Sequence, residues 1–282
     1  MPAPLPLIPG MEGAGVVVAA GSAVASLFPV NSKVGYMGIG VQSAAEFTLV
    51  DASKAVPITG EHASTSFEDI SGAMMQGMTA HYLVSADGSY EVKAGDYVLI
   101  HAGAGGMGLL LTQICKAKGA TVVTTVSSAE KKAKSESVGA DLVLRYAKDD
   151  GSEAEWMEQA RAATKGKGFN VVYDSVGKST FTQSLDLVAK RGTVVLFGAA
   201  SGAPDAIAPL SLGPKSIKLT RPMLFHYVAN EEELRKRAYE VLYWIKKGQV
   251  KFQYTKYPLE DAANAHAQLE GRNTSGKLLL QI

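Results

Sequence analysis

Tyr97-Val98-Leu99-Ile100-His101-Ala102-Gly103-Ala104-Gly105-Gly106-Met107-Gly108 is the stretch that decides the fold. An apolar run ends in glycines at Gly103, Gly105 and Gly108, and Met107, Leu110, Leu111 and Ile114 follow at helical spacing toward Lys118. The pattern predicts strand, glycine turn, helix. A tight strand-to-helix turn needs backbone freedom, and a pyrophosphate must approach main-chain N–H groups with no Cβ in the way. Gly-x-Gly-x-x-Gly serves both needs and sets the phosphates at a helix N-terminus. After Gly119-Ala120, residues Thr121 to Val126 read as a second strand, which closes a βαβ unit and favours a dinucleotide site over a ligand-free turn. The turn residues Gly103, Gly105, Gly106, Met107 and Gly108 are therefore cofactor-binding candidates.

The alternation continues outward from this unit. Helices are expected around 130–138, 153–164 and 181–189, and strands at 142–144, 171–173, 193–197 and 217–219. Six strands alternating with helices make an α/β, doubly wound parallel sheet whose ligand crevice lies beyond the strand C-termini. Upstream, residues 1–60 carry short β-branched runs (15–20 and 47–50) broken by Gly, Pro, Asn and Asp, which read as a small β-rich unit. Ser66, with Glu68 and Asp69 behind it, caps a predicted helix through Ile70, Met74, Met78 and Tyr82 that joins two domains. A charged amphipathic helix is expected at 230–247, and 254–282 returns to β and helix pieces that rejoin the N-terminal unit.

Composition narrows the function classes. A chain of 282 residues with 46% hydrophobic content supports a large core and two domains. A net charge of +1 supplies neither a nucleic-acid footprint nor a polybasic membrane face. The single cysteine, Cys115, rules out an internal disulfide and reads as a packing residue of the helix after the glycines. The opening Met-Pro-Ala-Pro-Leu-Pro lacks a signal-peptide pattern, and no apolar run reaches membrane-spanning length, so a cytoplasmic protein is expected.

The second strand tells NADPH from NADH. An NAD site carries an acid about 20 residues beyond the fingerprint, whereas here the strand ends Thr125-Val126-Ser127-Ser128 and the first acid is Glu130, inside the next helix. Ser127 and Ser128 can donate to a 2′-phosphate, with Lys131 or Lys132 supplying the charge; a solvated helix face is the competing reading of the lysines. NADPH is the expected cofactor.

Five segments together resemble the medium-chain dehydrogenase/reductase superfamily, in its zinc-independent quinone oxidoreductase branch, the zeta-crystallin-like proteins. They are Pro9-Gly10-Met11-Glu12-Gly13-Ala14-Gly15, the glycine turn, Asp174-Ser175-Val176-Gly177, Phe197-Gly198-Ala199-Ala200-Ser201-Gly202 and Thr220-Arg221-Pro222. The resemblance implies a GroES-like catalytic domain built from both chain ends, with the Rossmann domain between them. It divides the chain into 1–76, the first part of the catalytic domain; 77–226, the NADPH-binding Rossmann domain; and 227–282, the segment that rejoins the catalytic domain. It places Lys131 and Tyr146 beside the adenosine 2′-phosphate, and Thr79, Val176, Phe197, Gly198 and Ser201 along the ribose and nicotinamide. For Tyr146, a partly buried surface tyrosine is the competing reading. Family members carry several β-strands before the Pro-Gly-Met-Glu segment, so an N-terminally shortened catalytic domain is expected.

Zinc-dependent relatives have Gly-His-Glu where this chain has Gly10-Met11-Glu12. A thioether does not replace imidazole at such a site, so no zinc is expected, and the substrate should be an acceptor that takes hydride readily. Reduction of a quinone by NADPH is the leading expectation; no catalytic acid is required, because water can protonate a quinol oxyanion. Reduction of an activated C=C bond in an enal or enone is the nearest alternative. An NADPH-binding structural or regulatory protein, as in lens zeta-crystallin, is the alternative of another class; the near-neutral charge argues against an RNA-binding relative. Tyr36 and His226 are substrate-side candidates, His226 having a packed domain-junction residue as its competing reading, and His101 reads as structural or cofactor-adjacent. A homodimer paired through 193–197 and 217–219 at the sheet edge is expected.

Overall fold

The run Tyr97–Ile100 forms strand β4 of a computed structural model that describes residues 5–146, 155–271 and 274–282. Residues 1–4 of the opening segment, and Glu153 and Ala154 at the start of one predicted helix, lie outside the described residues. The chain divides into two compact units, Met1–His81 with Leu224–Ile282, and Tyr82–Met223.

The second unit holds six parallel strands: β4, β5 (Thr121–Val126), β6 (Leu142–Arg145), β7 (Phe169–Asp174), β8 (Val188–Leu196) and β9 (Lys218–Thr220). Their order is β6-β5-β4-β7-β8-β9, so the direction of winding reverses at β4, beside the glycine turn. The central strands are apolar on both faces, as burial between two helical layers demands. Leu99, Val123, Val172 and Val194 join Trp156, Phe169 and Phe181 in one buried cluster. Between the strands run α3 (Gly106–Ala117), α4 (Ala129–Ser137), α5 (Trp156–Ala163) and α6 (Phe181–Leu187). Helix α6 stops two residues before the expected Ala189, because β8 starts early, at Val188 opposite Phe169.

The first unit is built from two small sheets. Strands β1 (Glu12–Val16), β2 (Lys33–Met37) and β3 (Ala55–Ile58) are antiparallel in the order β1-β2-β3, and β10 (Tyr254–Pro258) pairs in parallel with β11 (Lys277–Gln281). Here the sequence expectation needs correction. The first strand ends at Val16 rather than extending to Ala20, and Phe47–Val50 is not a strand, with Phe47 73% and Leu49 96% exposed. β-branched residues without a neighbouring edge to pair with do not make a strand. Instead Ala55–Ile58 pairs with β2, and its Pro57 is tolerated because β3 is an edge strand. Gly35 in β2 lets helix α1 (Phe67–Gly72) come close, since a Cβ there would stand 2.7 Å from Ile70.

The predicted connecting helix starts as expected, with Ser66 accepting from the Asp69 N–H. It then passes through a π-helical turn, Ala73–Gly77, before α2 (Met78–Val84), and the division between the units falls within α2. The Glu12 carboxylate accepts from the Met75 N–H in that turn at 2.8 Å. The C-terminal part supplies α7 (Glu231–Lys246) and α8 (Ala262–Glu270). Helix α7 is capped by Asn230 and buries Leu234, Ala238, Val241 and Leu242 at helical spacing.

Candidate functional site

The glycine turn joins β4 to α3, and its glycines are required by crowding rather than by dihedral angle. Gly105 lies in extended backbone, and the left-handed residue of the turn is Ala102, at φ 55°. A Cβ on Gly108 would stand 2.4 Å from the Ala102 carbonyl oxygen, and one on Gly103 would stand 2.5 Å from Thr124. A Cβ on Gly105 would stand 3.3 Å from the Ala102 oxygen, tighter than a side chain normally packs against backbone. Gly105 caps a helix of 12 residues without a side chain, and the first turn, with Gly106 and Met107, contains no acid. The donors of that turn thus suit an anion approaching along the helix axis, which is what a pyrophosphate requires.

The next strand end carries Ser127, exposed, and Ser128, which caps α4 by accepting from the Lys131 N–H at 3.2 Å. The Lys131 ammonium reaches the Ser127 hydroxyl at 3.3 Å. Glu130, the nearest acid, is paired with Lys134 at 2.8 Å, and Lys132 lies 3.8 Å from Glu136. The strand end therefore presents two hydroxyls and an ammonium, the donor set a phosphate monoester takes.

After β7, Asp174 organises the third loop. Its carboxylate accepts from the Val176 and Gly177 N–H groups at 2.9 and 3.0 Å and from the Thr180 hydroxyl. The Val176 carbonyl then accepts from both the N–H and the hydroxyl of Ser201, at 2.7 and 2.8 Å, which stitches the loop after β7 to the loop after β8. Phe197 N–H donates to the Asp174 carbonyl, and Gly198 packs so close that a Cβ would lie 2.6 Å from Ser175. The structure therefore brings together Val176, Phe197, Gly198 and Ser201.

Tyr146 follows β6, but its hydroxyl points inward rather than to solvent. The Thr125 hydroxyl donates to it, and His101 Nδ1 lies 3.1 Å away. Burial pushes the phenol well above its usual pKa. His101, fully buried, also touches the Thr125 hydroxyl at 2.9 Å and, through Nε2, the Ser184 hydroxyl at 3.1 Å. Burial lowers its pKa to about 4, against an opposing pull from Asp174. Thr125 and Asp174 entered the sequence reading only as part of a strand end and of the Asp174-Ser175-Val176-Gly177 motif, without a role, and Ser184 not at all.

The remaining candidates lie in the first unit. Thr79 is half-buried on α2, and Tyr36, its phenol pKa raised by burial, lines a cavity of about 570 Å3 between β1, β11 and α8. His226 is exposed, which corrects the reading of it as a packed residue. Cys115 is buried in α3 with its thiol pushed up to about 12, as befits a packing residue. Met11 is half-exposed beside Glu12, and no group of three His, Cys, Asp or Glu gathers among the described residues, so the donors present do not fit a catalytic zinc.

A parallel sheet winding out from a glycine turn, with an anion-ready helix and phosphate donors at the adjoining strand end, defines a dinucleotide-binding Rossmann protein. The family model described as zinc-binding dehydrogenase matches residues 106–242. Quinone oxidoreductase 1 of Escherichia coli is 36% identical over 99% of this chain and 83% of its own length. A 2-haloacrylate reductase of a Burkholderia species is 36% identical over 98% of this chain and 81% of its own length. The crystal structure of Escherichia coli quinone oxidoreductase complexed with NADPH aligns with a TM-score of 0.90 at 36% identity, covering all of this chain and 84% of that one. The chain belongs to the quinone oxidoreductase branch of the medium-chain dehydrogenase/reductase superfamily.

Proposed function

We infer that the protein is an NADPH-dependent quinone reductase that passes hydride to its acceptor without a metal. The observation that carries the NADPH half is the end of β5, where Ser127, Ser128 and Lys131 converge while Glu130 is held by Lys134. A carboxylate there would accept from a ribose 2′-hydroxyl and repel a 2′-phosphate. The kinship with quinone oxidoreductases, which spans 99% of this chain and 83% of the Escherichia coli relative, carries the acceptor half.

NADPH, when bound, supplies the hydride. The residues of this chain bind and orient it. The α3 N-terminus takes the pyrophosphate; Ser127, Ser128 and Lys131 take the 2′-phosphate, with Tyr146 flanking the adenosine. Val176, Phe197, Gly198, Ser201 and Thr79 line the ribose and nicotinamide. The stitched loops after β7 and β8 keep that wall rigid, so that little ordering entropy remains to be lost at the reacting carbon. No side chain is asked to hold a proton, because a quinol oxyanion is a weak enough base that water can finish the protonation. Tyr36 and His226 are assigned to the acceptor side. Segments 1–76 and 227–282 form the GroES-like catalytic domain, and 77–226 form the nucleotide domain. The outer edge of β9, unpaired among the described residues and with Leu219 38% exposed, supports a homodimer formed by strand pairing. No helix among the described residues is long and apolar enough to cross a membrane.

A second reading, reduction of an activated C=C bond, is favoured by the kinship with a 2-haloacrylate reductase. The initial rate of NADPH oxidation with an ortho-quinone, run beside NADH and an enone, separates the two. Fast turnover with NADPH and quinone is expected; equal Michaelis constants for the two nucleotides would overturn the cofactor assignment, and a faster enone would move the substrate class.

A further inference from the structure

Five side chains that the hydride step does not use form one hydrogen-bonded line across the C-terminal edge of the sheet. Taken in strand order they are Tyr146 after β6, Thr125 on β5, His101 after β4, Ser184 on α6 and Asp174 on β7. Thr125, His101, Ser184 and Asp174 are each no more than 1% exposed. A polar line of this kind survives in a dry interior only when every hydrogen has a partner.

That requirement fixes its direction. Ser184 has one hydroxyl hydrogen and two acceptors in reach, the Asp174 carboxylate at 2.8 Å and the Thr180 carbonyl at 3.0 Å. The charged acceptor takes it. Ser184 must then accept from His101, which places the imidazole hydrogen on Nε2 and leaves Nδ1 as an acceptor. Two hydroxyls lie in reach of Nδ1, Thr125 at 2.9 Å and Tyr146 at 3.1 Å; Thr125 donates to Tyr146, so the Tyr146 hydrogen goes to Nδ1. The line therefore runs one way, from Thr125 through Tyr146, His101 and Ser184 to Asp174.

Its two ends are the two ends of the nucleotide site. Tyr146 and Thr125 hold the strand ends that lead to Ser127 and Lys131, while Asp174 holds Val176, which holds Ser201. The centre of the line, His101, stands next to Ala102, whose carbonyl crowds Gly108 in the glycine turn.

We propose that His101 is a positioning residue for the cofactor: fixed as the Nε2–H tautomer, it ties the 2′-phosphate loop to the nicotinamide loops so that both ends of one dinucleotide are held in register. This rests on the NADPH reading above. Loss of any member lets the phosphate loop relax, and the cost falls on NADPH more than on NADH, because the 2′-phosphate contacts are what that loop carries. The effect travels along one line, so breaking it twice costs no more than breaking it once.

Two measurements test this. Long-range 15N–1H correlation spectra of nucleotide-free protein at pH 7 should show His101 hydrogen-bearing at Nε2 and bare at Nδ1. A hydrogen on Nδ1, or an imidazolium, would overturn the assignment without reference to any ligand. Dissociation constants for NADPH and NADH are then measured for wild type, His101→Phe, His101→Gln, Ser184→Ala, Tyr146→Phe and the Ser184→Ala/Tyr146→Phe pair. The NADPH preference should fall about threefold or more in His101→Phe, Ser184→Ala and Tyr146→Phe, recover in His101→Gln, and fall no further in the pair. Ser184→Ala, a change of one atom, gives the reading if a histidine variant fails to fold. An unchanged preference, or effects that multiply in the pair, would overturn the proposal alone, whereas wild-type protein that binds no NADPH would overturn the functional reading and this proposal with it.

Discussion

Of the three buried histidines, His62, His81 and His101, the last two lie in different units and are satisfied by opposite means. His101, in the nucleotide unit, is surrounded by the neutral hydroxyls of Thr125, Tyr146 and Ser184, and its line ends on a carboxylate that is itself wholly buried. His81, in the other unit, accepts from Arg237 at 3.1 Å through Nδ1 and meets the carboxylate of Glu240 through Nε2, with Trp244 stacked on the ring at 5.0 Å. The Glu240 side chain is 44% exposed. The same contrast extends to Glu12, which bonds Lys277 in an ion pair whose side chains are 20% and 7% exposed. Neutral hydroxyls suit a position that must be dry and geometrically exact, because they cost less to take out of water than charges do, and the buried Asp174 carboxylate is covered by N–H and hydroxyl donors. Charged partners suit a unit whose small sheets leave their polar groups near water, and there the surrounding solvent sets how much each pair contributes.

The charged side breaks hardest where it is most buried. Lys277→Met leaves the Glu12 carboxylate with only the Met75 N–H, and an uncompensated part-buried charge costs about 3–5 kcal/mol. Urea unfolding should show that loss. Adding Glu12→Gln should restore much of it, because the stranded charge is gone; a double variant as unstable as the single one would mean that the pair acts through packing instead.

Much of the nucleotide unit was legible in the sequence and little of the other unit was. Parallel strands such as Thr121–Val126 are buried on both faces, so their apolar runs stand out. Glycine crowding at the turn left an ordered motif. Strand β2 is interrupted by Gly35 and β3 by Pro57, each tolerated for a tertiary reason that no local pattern reveals: the approach of Ile70 and an edge position. Phe47–Val50 has the right residues and no partner edge. The hydrogen-bonded line was hidden for a related reason. His101, Thr125, Ser184 and Asp174 come from four separate elements, and only the strand order brings His101 within reach of Ser184, 83 positions away.

The neutral side should reveal itself through pH. A histidine whose folded pKa is about 4 binds fewer protons folded than unfolded, where its pKa is about 6.5. Its contribution to stability is complete above the unfolded value and is lost as pH falls toward the folded one. The loss reaches about 2 kcal/mol at pH 5 and about 3 kcal/mol at pH 4. The titratable groups facing His101 are Tyr146 and Asp174. Denaturant melts at pH 7 and pH 5 should therefore converge for His101→Gln relative to wild type, by about 2 kcal/mol. A variant that keeps the full wild-type slope would place the acid sensitivity elsewhere.

The smallest effect is the most diagnostic for the other histidine. Glu240→Gln keeps an acceptor for His81 Nε2–H and removes only a half-exposed charge, so the stability change should stay within about 1 kcal/mol. What it should alter is the salt response. Wild type, with Glu240 and Arg237 both on His81, should lose a little stability as salt rises from low to physiological strength, because solvent ions screen an exposed carboxylate. Glu240→Gln should flatten that loss, while Ser184→Ala, which breaks a line shielded from water, should leave it unchanged. If both substitutions changed the salt response alike, the line through His101 would be reached by solvent and the division between the two histidines would fail.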